Sequence, residues 1–178
     1  YEWKWDTLGS NLYLTSQYSN FDLERLENIT QFFEREPIGN FINKRTFNTN
    51  NIDVFTNQLD LKKVFNKRTQ VEAGIKNAYI SNRSLLNFES QDPDGSYQSE
   101  VDGSNQYNYF ENILAAYAGW DWTLENTQIK AGLRAEWTNV NRAAMDRSFE
   151  AQNYINYFPT FFLQQSFTEQ TKLSFSYG

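Results

Sequence analysis

The chain has no cysteine, no histidine, only three prolines and no long apolar run. Without cysteine there is neither a disulfide framework nor a thiolate to act as nucleophile or metal ligand. Without histidine the commonest metal ligand and the commonest general base are gone, so no cofactor and no enzymatic activity are expected. Positive charge is also short. The 16 Lys and Arg against 22 Asp and Glu leave a net charge of −6, which argues against a nucleic-acid partner, since such a partner demands a basic face. No stretch approaches the apolar length of a transmembrane helix. A membrane β-barrel stays open, because its strands alternate and hide from hydropathy averages.

Aromatic residues are what the chain has in plenty, 17% of it on a mean hydropathy of −0.73. They sit in a two-residue pattern that is clearest from Tyr107 to Asn139. Ile129, Ala131, Leu133, Ala135 and Trp137 alternate with Gln128, Lys130, Gly132, Arg134, Glu136 and Thr138. One face is apolar and the other polar or small, as a strand with one face in an apolar medium requires. The preceding run puts Phe110, Leu114, Ala116, Ala118, Trp120 and Trp122 opposite Glu111, Tyr117, Gly119 and Asp121, with Asn112 as the exception. Only residues 123–127 separate the two runs, which predicts an antiparallel hairpin.

The same reading gives eight strands, the outer two incomplete. Tyr1 to Asp6 alternates into a turn at Thr7 to Ser10, and alternation resumes from Asn11 to Tyr18. Ile52 to Phe65, the turn Asn66 to Arg68 and a strand from Thr69 fading near Phe88 follow. Tyr157 to Phe167 runs into a turn at Thr168 to Gln170 and a last strand through Leu173, Phe175 and Tyr177, with Phe158 and Phe162 on the wrong face of the seventh strand. Three stretches lack a period and are expected to be long loops: the middle of Asn20 to Asn51 with Pro37 and Gly39, Glu89 to Asn105, and Val140 to Gln152. Leu23, Leu26 and Ile29 offer a short helix as the alternative in the first of these. The loop Ser90 to Ser96 imitates part of a calcium loop, but its twelfth position is Val101 instead of Glu, so it reads as a turn without an ion.

Short turns and long loops thus alternate strictly, the asymmetry of outer-membrane barrels, with short turns on the periplasmic side. Trp5, Phe65, Trp122 and Phe167 stand just before the short turns and are expected at one lipid interface. Tyr18, Tyr79, Trp137 and Tyr157 are expected at the other, since at about 2.5 Å of climb per tilted residue Trp137 stands about 20 Å above Ile129. Glu111, Asp121, Lys130, Arg134 and Glu136 fall on the polar face, expected to line a lumen, with Arg134 forming a wall ion pair beside Glu136 and Glu111. The first strand runs down into a short turn and the last leaves one upward, the wrong phase for a closed eight-stranded barrel. The expectation is therefore an all-β, antiparallel up-and-down segment with two open edges, residues 1–178 being an excerpt of one barrel domain.

Taken in order, Gln58–Phe65, Val71–Lys76, Glu111–Ala118, Gln128–Thr138, Tyr157–Thr160 and Leu173–Tyr177 resemble strands of the large outer-membrane β-barrels of the TonB-dependent receptor type, in particular the outer membrane β-barrel protein group. The resemblance covers most of the chain from Ile52 onward. It implies a barrel of about 22 strands in the outer membrane of a Gram-negative bacterium. It implies as partners the outer-membrane lipid, the rest of the barrel with its amino-terminal plug, and TonB through the parent chain. Three functions stay open: solute uptake, an outer-membrane scaffold or adhesion barrel without transport, and a soluble β-rich carbohydrate-binding module with aromatic platforms.

Overall fold

The computed structural model describes residues 1–33, 40–144 and 147–178, and among these every regular element is a strand. In chain order they are β1 (Glu2–Lys4), β2 (Asn11–Phe33), β3 (Asn40–Asn66), β4 (Thr69–Gln91), β5 (Tyr97–Leu124), β6 (Thr127–Ala144), β7 (Arg147–Ser148), β8 (Gln152–Ser166) and β9 (Lys172–Tyr177). They form a single antiparallel sheet in the order β1-β2-β3-β4-β5-β6-β8-β9, with the two-residue β7 pairing off β6. The eight-strand ladder is the one expected from the alternation. The sheet is open, because β1 pairs only with β2 and β9 only with β8.

The short turns fall where the sequence puts them, and each has a local cause. At the β1–β2 turn Gly9 adopts φ +99°, a conformation closed to most side chains. The Asp6 carboxylate accepts from the backbone N–H groups of Leu8 and Ser10, both at 3.0 Å, and from Lys63 Nζ at 3.2 Å. The Ser10 hydroxyl and backbone N–H, with Lys63 and Leu8 after them, hold the Asp6 carboxyl well below the usual carboxylate range against a smaller opposing effect of burial.

Among the described residues, most of the stretches expected to be long loops are strand. β2 and β3 carry on pairing up to Phe33 and Asn40, so residues 20–33 and 40–51 are the two arms of a tall antiparallel ladder, and the middle of the expected loop, with Pro37 and Gly39, lies outside the described residues. The alternative short helix is likewise absent: Leu23 and Ile29 sit on one face of β2 and Leu26 on the other. β4 and β5 similarly leave only residues 92–96 as a turn, where Gly95 has φ +88° and the Asp94 carboxylate accepts from the Ser96 backbone N–H at 2.9 Å and hydroxyl at 2.7 Å. The Asp102-Gly103 step lies within β5, where the register shifts between Leu86 and Phe88. β6 runs on to Ala144, so the last expected loop also begins as strand.

The reason is physical. Alternation appears in a sequence only where the two faces of a strand meet different media, whereas a backbone ladder forms regardless of what its side chains face. Strands of 27 and 28 residues greatly exceed the about 9–11 that cross a bilayer, and only their lower parts alternate.

Candidate functional site

The register divides the sheet into two faces with different chemistry, since residues paired across an antiparallel ladder point the same way. One face carries rows of apolar side chains. The row Leu12, Leu61, Ala73, Ala118, Leu133 and Pro159 crosses six strands, and so does the row Leu14, Leu59, Ile75, Ala116, Ala135 and Tyr157. The stagger shows the tilt of the strands: Asn11 opens β2, yet along its row Gly119 is well inside β5 and Thr160 well inside β8.

All eight aromatics singled out in the sequence are placed by this apolar face and its ends. Tyr18 pairs with Phe55, which pairs with Tyr79, and the Tyr18 hydroxyl donates to Asp53 at 2.6 Å. Trp137 pairs with Leu114 and Ile155, and Tyr157 with Ala135, so these two belong to the same face at a comparable height. Trp122 pairs with Ile129 and stacks on Trp120 with ring centroids 6.2 Å apart. Trp5 packs against Trp3 at 5.7 Å, with Lys63 Nζ 5.8 Å from its ring. Phe65 and Phe167 stand exposed beside the short turns that follow β3 and β8.

The opposite face holds Glu111, Asp121, Lys130, Arg134 and Glu136 together by register, but in three places. Lys130 Nζ lies 3.1 Å from Asp121, directly across the ladder, where Gln70 and Gln128 also approach the carboxylate. Arg134 Nε lies 2.6 Å from Glu136, and its guanidinium is 5.4 Å from the Tyr117 ring. The Tyr117 hydroxyl bonds to Asp60, whose other oxygen accepts from Gln58 at 2.8 Å. Glu111 stands apart from this pair, higher on β5 opposite Val140, which corrects the expectation that it joins Arg134 and Glu136.

Glycines make room for this network. A Cβ on Gly74 would lie 2.5 Å from the Tyr117 ring, so the tyrosine lies over its glycine partner on β4. Gly119 and Gly132 pair directly, which leaves a side-chain-free strip between Glu72 and Thr160.

A second polar cluster escaped the sequence reading. Above the alternating zone, on the face that carries Glu111, the rows Ile52-Asn82-Tyr109-Arg142 and Asn50-Ser84-Tyr107-Ala144 adjoin, with Asn48 paired to Leu86 beyond them. Among the described residues, five buried side-chain atoms have no hydrogen-bond partner: Asn48 Oδ1, Asn50 Oδ1, Asn82 Oδ1, Arg142 Nε and Ser81 Oγ. All but Ser81 belong to this one patch, so its side chains retain hydrogen-bonding capacity that the protein does not use. Nothing in the sequence distinguishes these asparagines from the many others; the register alone assembles them. Among the described residues no group of three or more acidic, His or Cys side chains is arranged to hold a metal.

The sequence profile of the outer membrane protein beta-barrel family matches residues 3–178. No curated protein is similar in sequence. Among solved structures, the ferric citrate transporter FecA in its unliganded form matches 97% of this chain at 11% identity with a TM-score of 0.59. The ferric yersiniabactin uptake receptor FyuA from Yersinia pestis matches 93% of it at 15% identity with a TM-score of 0.43. The chain spans about a quarter of the length of either, 25% and 26%.

Proposed function

The chain belongs to the outer membrane protein beta-barrel family, and from that premise we propose that it is a wall section of a larger barrel that takes up a solute across the outer membrane. The family match and the fold shared with FecA bear out its resemblance to barrels of the TonB-dependent receptor type, and its place is the outer membrane of a Gram-negative bacterium. That location sets aside the soluble carbohydrate-binding module.

The observation that carries the proposal is the division of one sheet into an apolar and a polar face over the same residues. In this reading the apolar face meets lipid, with Trp5, Phe65, Trp122 and Phe167 at the periplasmic interface and Tyr18, Tyr79, Trp137 and Tyr157 at the outer one. The polar face lines the lumen. Asp121–Lys130 and Arg134–Glu136 are wall ion pairs there that stiffen the sheet beside a plug. The patch of Asn82, Tyr107, Tyr109 and Arg142 then stands above the bilayer on the inner side, where a solute arrives. Energy for uptake comes from TonB through a plug in the parent chain.

The test compares solutes depleted from the medium by cells with the full-length protein, by cells lacking it, and by cells carrying Arg142→Gln with Asn82→Leu. A solute depleted only when the intact protein is present, and more slowly with the double variant, supports uptake. Identical depletion by all three strains refutes it. The scaffold reading would then stand, favoured by Phe21, Leu23 and Leu26, which lie exposed on the tall β2–β3 ladder.

A further inference from the structure

Three times among the described residues two cations follow one another, and two of those steps are neutralised. Lys44 and Arg45 pair with Glu100 and Glu89, and Lys62 and Lys63 with Glu72 and Asp6. Lys67-Arg68, in the turn between β3 and β4, is the exception. Neither side chain makes an ion pair or a hydrogen bond, and both stand exposed.

These two cations border a pocket of about 250 Å³ together with Lys62, Gln70, Asp121 and Thr123. Its one carboxylate, Asp121, is already engaged by Lys130 at 3.1 Å, while Glu72 holds Lys62 only loosely at 3.6 Å. Positive charge is thus in excess here, in a chain of net charge −6. The walls are tied together. The Val64 N–H donates to the buried Ser10 hydroxyl at 2.9 Å, the Arg68 N–H to Asn66 Oδ1 at 2.8 Å, and the Thr123 N–H to the Arg68 carbonyl at 2.7 Å. By register Lys62, Gln70 and Asp121 share the face of Lys130 and Glu136, so the pocket belongs to the polar side of the sheet.

A guanidinium beside an ammonium selects an oxyanion, the first through parallel hydrogen bonds and the second as a point charge. The volume lies below the about 300–1,000 Å³ of small-molecule sites, so it suits a side chain and not a solute. A phospholipid phosphate would have to approach from the opposite, apolar face.

We propose that the pocket seats a carboxylate side chain from an acidic polypeptide segment at the mouth of the barrel. Arg68 and Lys67 hold the carboxylate, with Lys62 and the Thr123 hydroxyl beside them. This rests on the reading above that the polar face lines the lumen and that the short turns are periplasmic.

The experiment treats membranes holding the full-length protein with a water-soluble carbodiimide, which joins amines to carboxylates in contact, and identifies the linked peptides by mass spectrometry. Lys67 or Lys62 should be linked to an Asp or Glu outside residues 1–178. The sequence of the linked peptide tells whether the segment is part of the parent chain or of a second polypeptide; either supports the pocket when the link depends on Arg68. Arg68→Glu leaves both lysines free to react and should lower the link about tenfold, whereas Arg68→Lys should keep most of it, with normal heat-modifiable gel mobility in both. Links confined to Glu72, Asp121 or Glu125, no link at all, or a yield indifferent to Arg68→Glu overturn the pocket. Lys67→Cys separates this failure from that of the reading beneath it. If an impermeant maleimide labels the cysteine on intact cells, the short turns are not periplasmic and the reading is wrong. If labelling requires an opened outer membrane and the wild type still forms no link, only the pocket is wrong.

Discussion

Replacing Leu133 by lysine tests the assignment of faces most directly. Leu133 is 51% exposed on the apolar face, in the row between Ala118 and Pro159. It is four residues from Ile129 and four from Trp137 along β6, which at about 2.5 Å of climb per residue puts it about 10 Å from each aromatic level. A lysine stem reaches about 6 Å, so the ammonium cannot snorkel to either interface. The cost should therefore lie in the midplane range of about 2–4 kcal/mol, a loss of about 30- to 900-fold in the folded fraction at equilibrium. Ile155, paired with Trp137 on the same face, should cost no more than about 1 kcal/mol as lysine, because it stands at the interface. Asn156, the next residue on β8, is exposed on the opposite face across from Glu136, and there a lysine gains a carboxylate neighbour. Thr138 would be a poor choice for that control, being only 3% exposed. Urea-dependent refolding of the full-length protein into vesicles, read by heat-modifiable gel mobility, measures all three variants. If Asn156→Lys is as damaging as Leu133→Lys, or if Leu133→Lys and Ile155→Lys fail equally, the division into lipid and lumen faces is refuted.

Gly74→Ala should destabilise by about 1–3 kcal/mol, because its Cβ would lie 2.5 Å from the Tyr117 ring and push the tyrosine off Asp60 and Gln58. Adding Tyr117→Ala should remove most of that penalty, and additivity of the two in the same refolding assay would refute the contact. The Asp6 carboxyl is depressed in the folded protein below its ordinary 3.8. Its contribution to the β1–β2 turn is thus present above that pH and is lost as the pH falls through the lower folded value. Hydrogen exchange at the Ser10 amide should show protection that weakens on acidification in the wild type and is weak and flat with pH in Asp6→Asn; equal profiles would contradict this account. An epitope inserted after Gly95 should be reached by antibody on intact cells and one after Lys67 should not, and the reverse pattern would invert the orientation.

How far the sequence could be read follows from where the surroundings of a strand differ between its two faces. From Gln128 to Trp137 they differ sharply, and the apolar set, the hairpin and the facing of Arg134 and Glu136 are all legible in the residues. From Asn20 to Phe32 the sequence holds Asp22, Glu24, Leu26 and Asn28 on one face and Phe21, Leu23, Arg25 and Glu27 on the other. Neither face is apolar enough to mark a period, so a long strand passes for a loop. The pairing partners escape for a different reason. That Glu111 faces Val140 while Asp121 faces Lys130 depends on register, which the hairpin turn sets at the far end of the strands. Arg142 and Asn82 are further still, being joined only through Tyr109 across three strands.

The same accounting explains why a sheet this large has almost no core. Among the described residues only Ala115 and Val140, at 1% and 6% exposure, are buried hydrophobics, while Leu14, Ile75, Leu114, Leu133 and Trp137 all lie open on one face. A single layer cannot bury an apolar face against itself, and a soluble protein would lay a helix or second sheet over it. Exposed apolar area on that scale would drive aggregation in water. Hydrocarbon removes the difficulty, because it covers the face without hydrogen-bonding partners and the strand ladder already satisfies the backbone. On the assignment of faces proposed above, the bilayer is the missing second layer of this fold, and the polar face needs no such cover because its ion pairs and carboxamides would meet water.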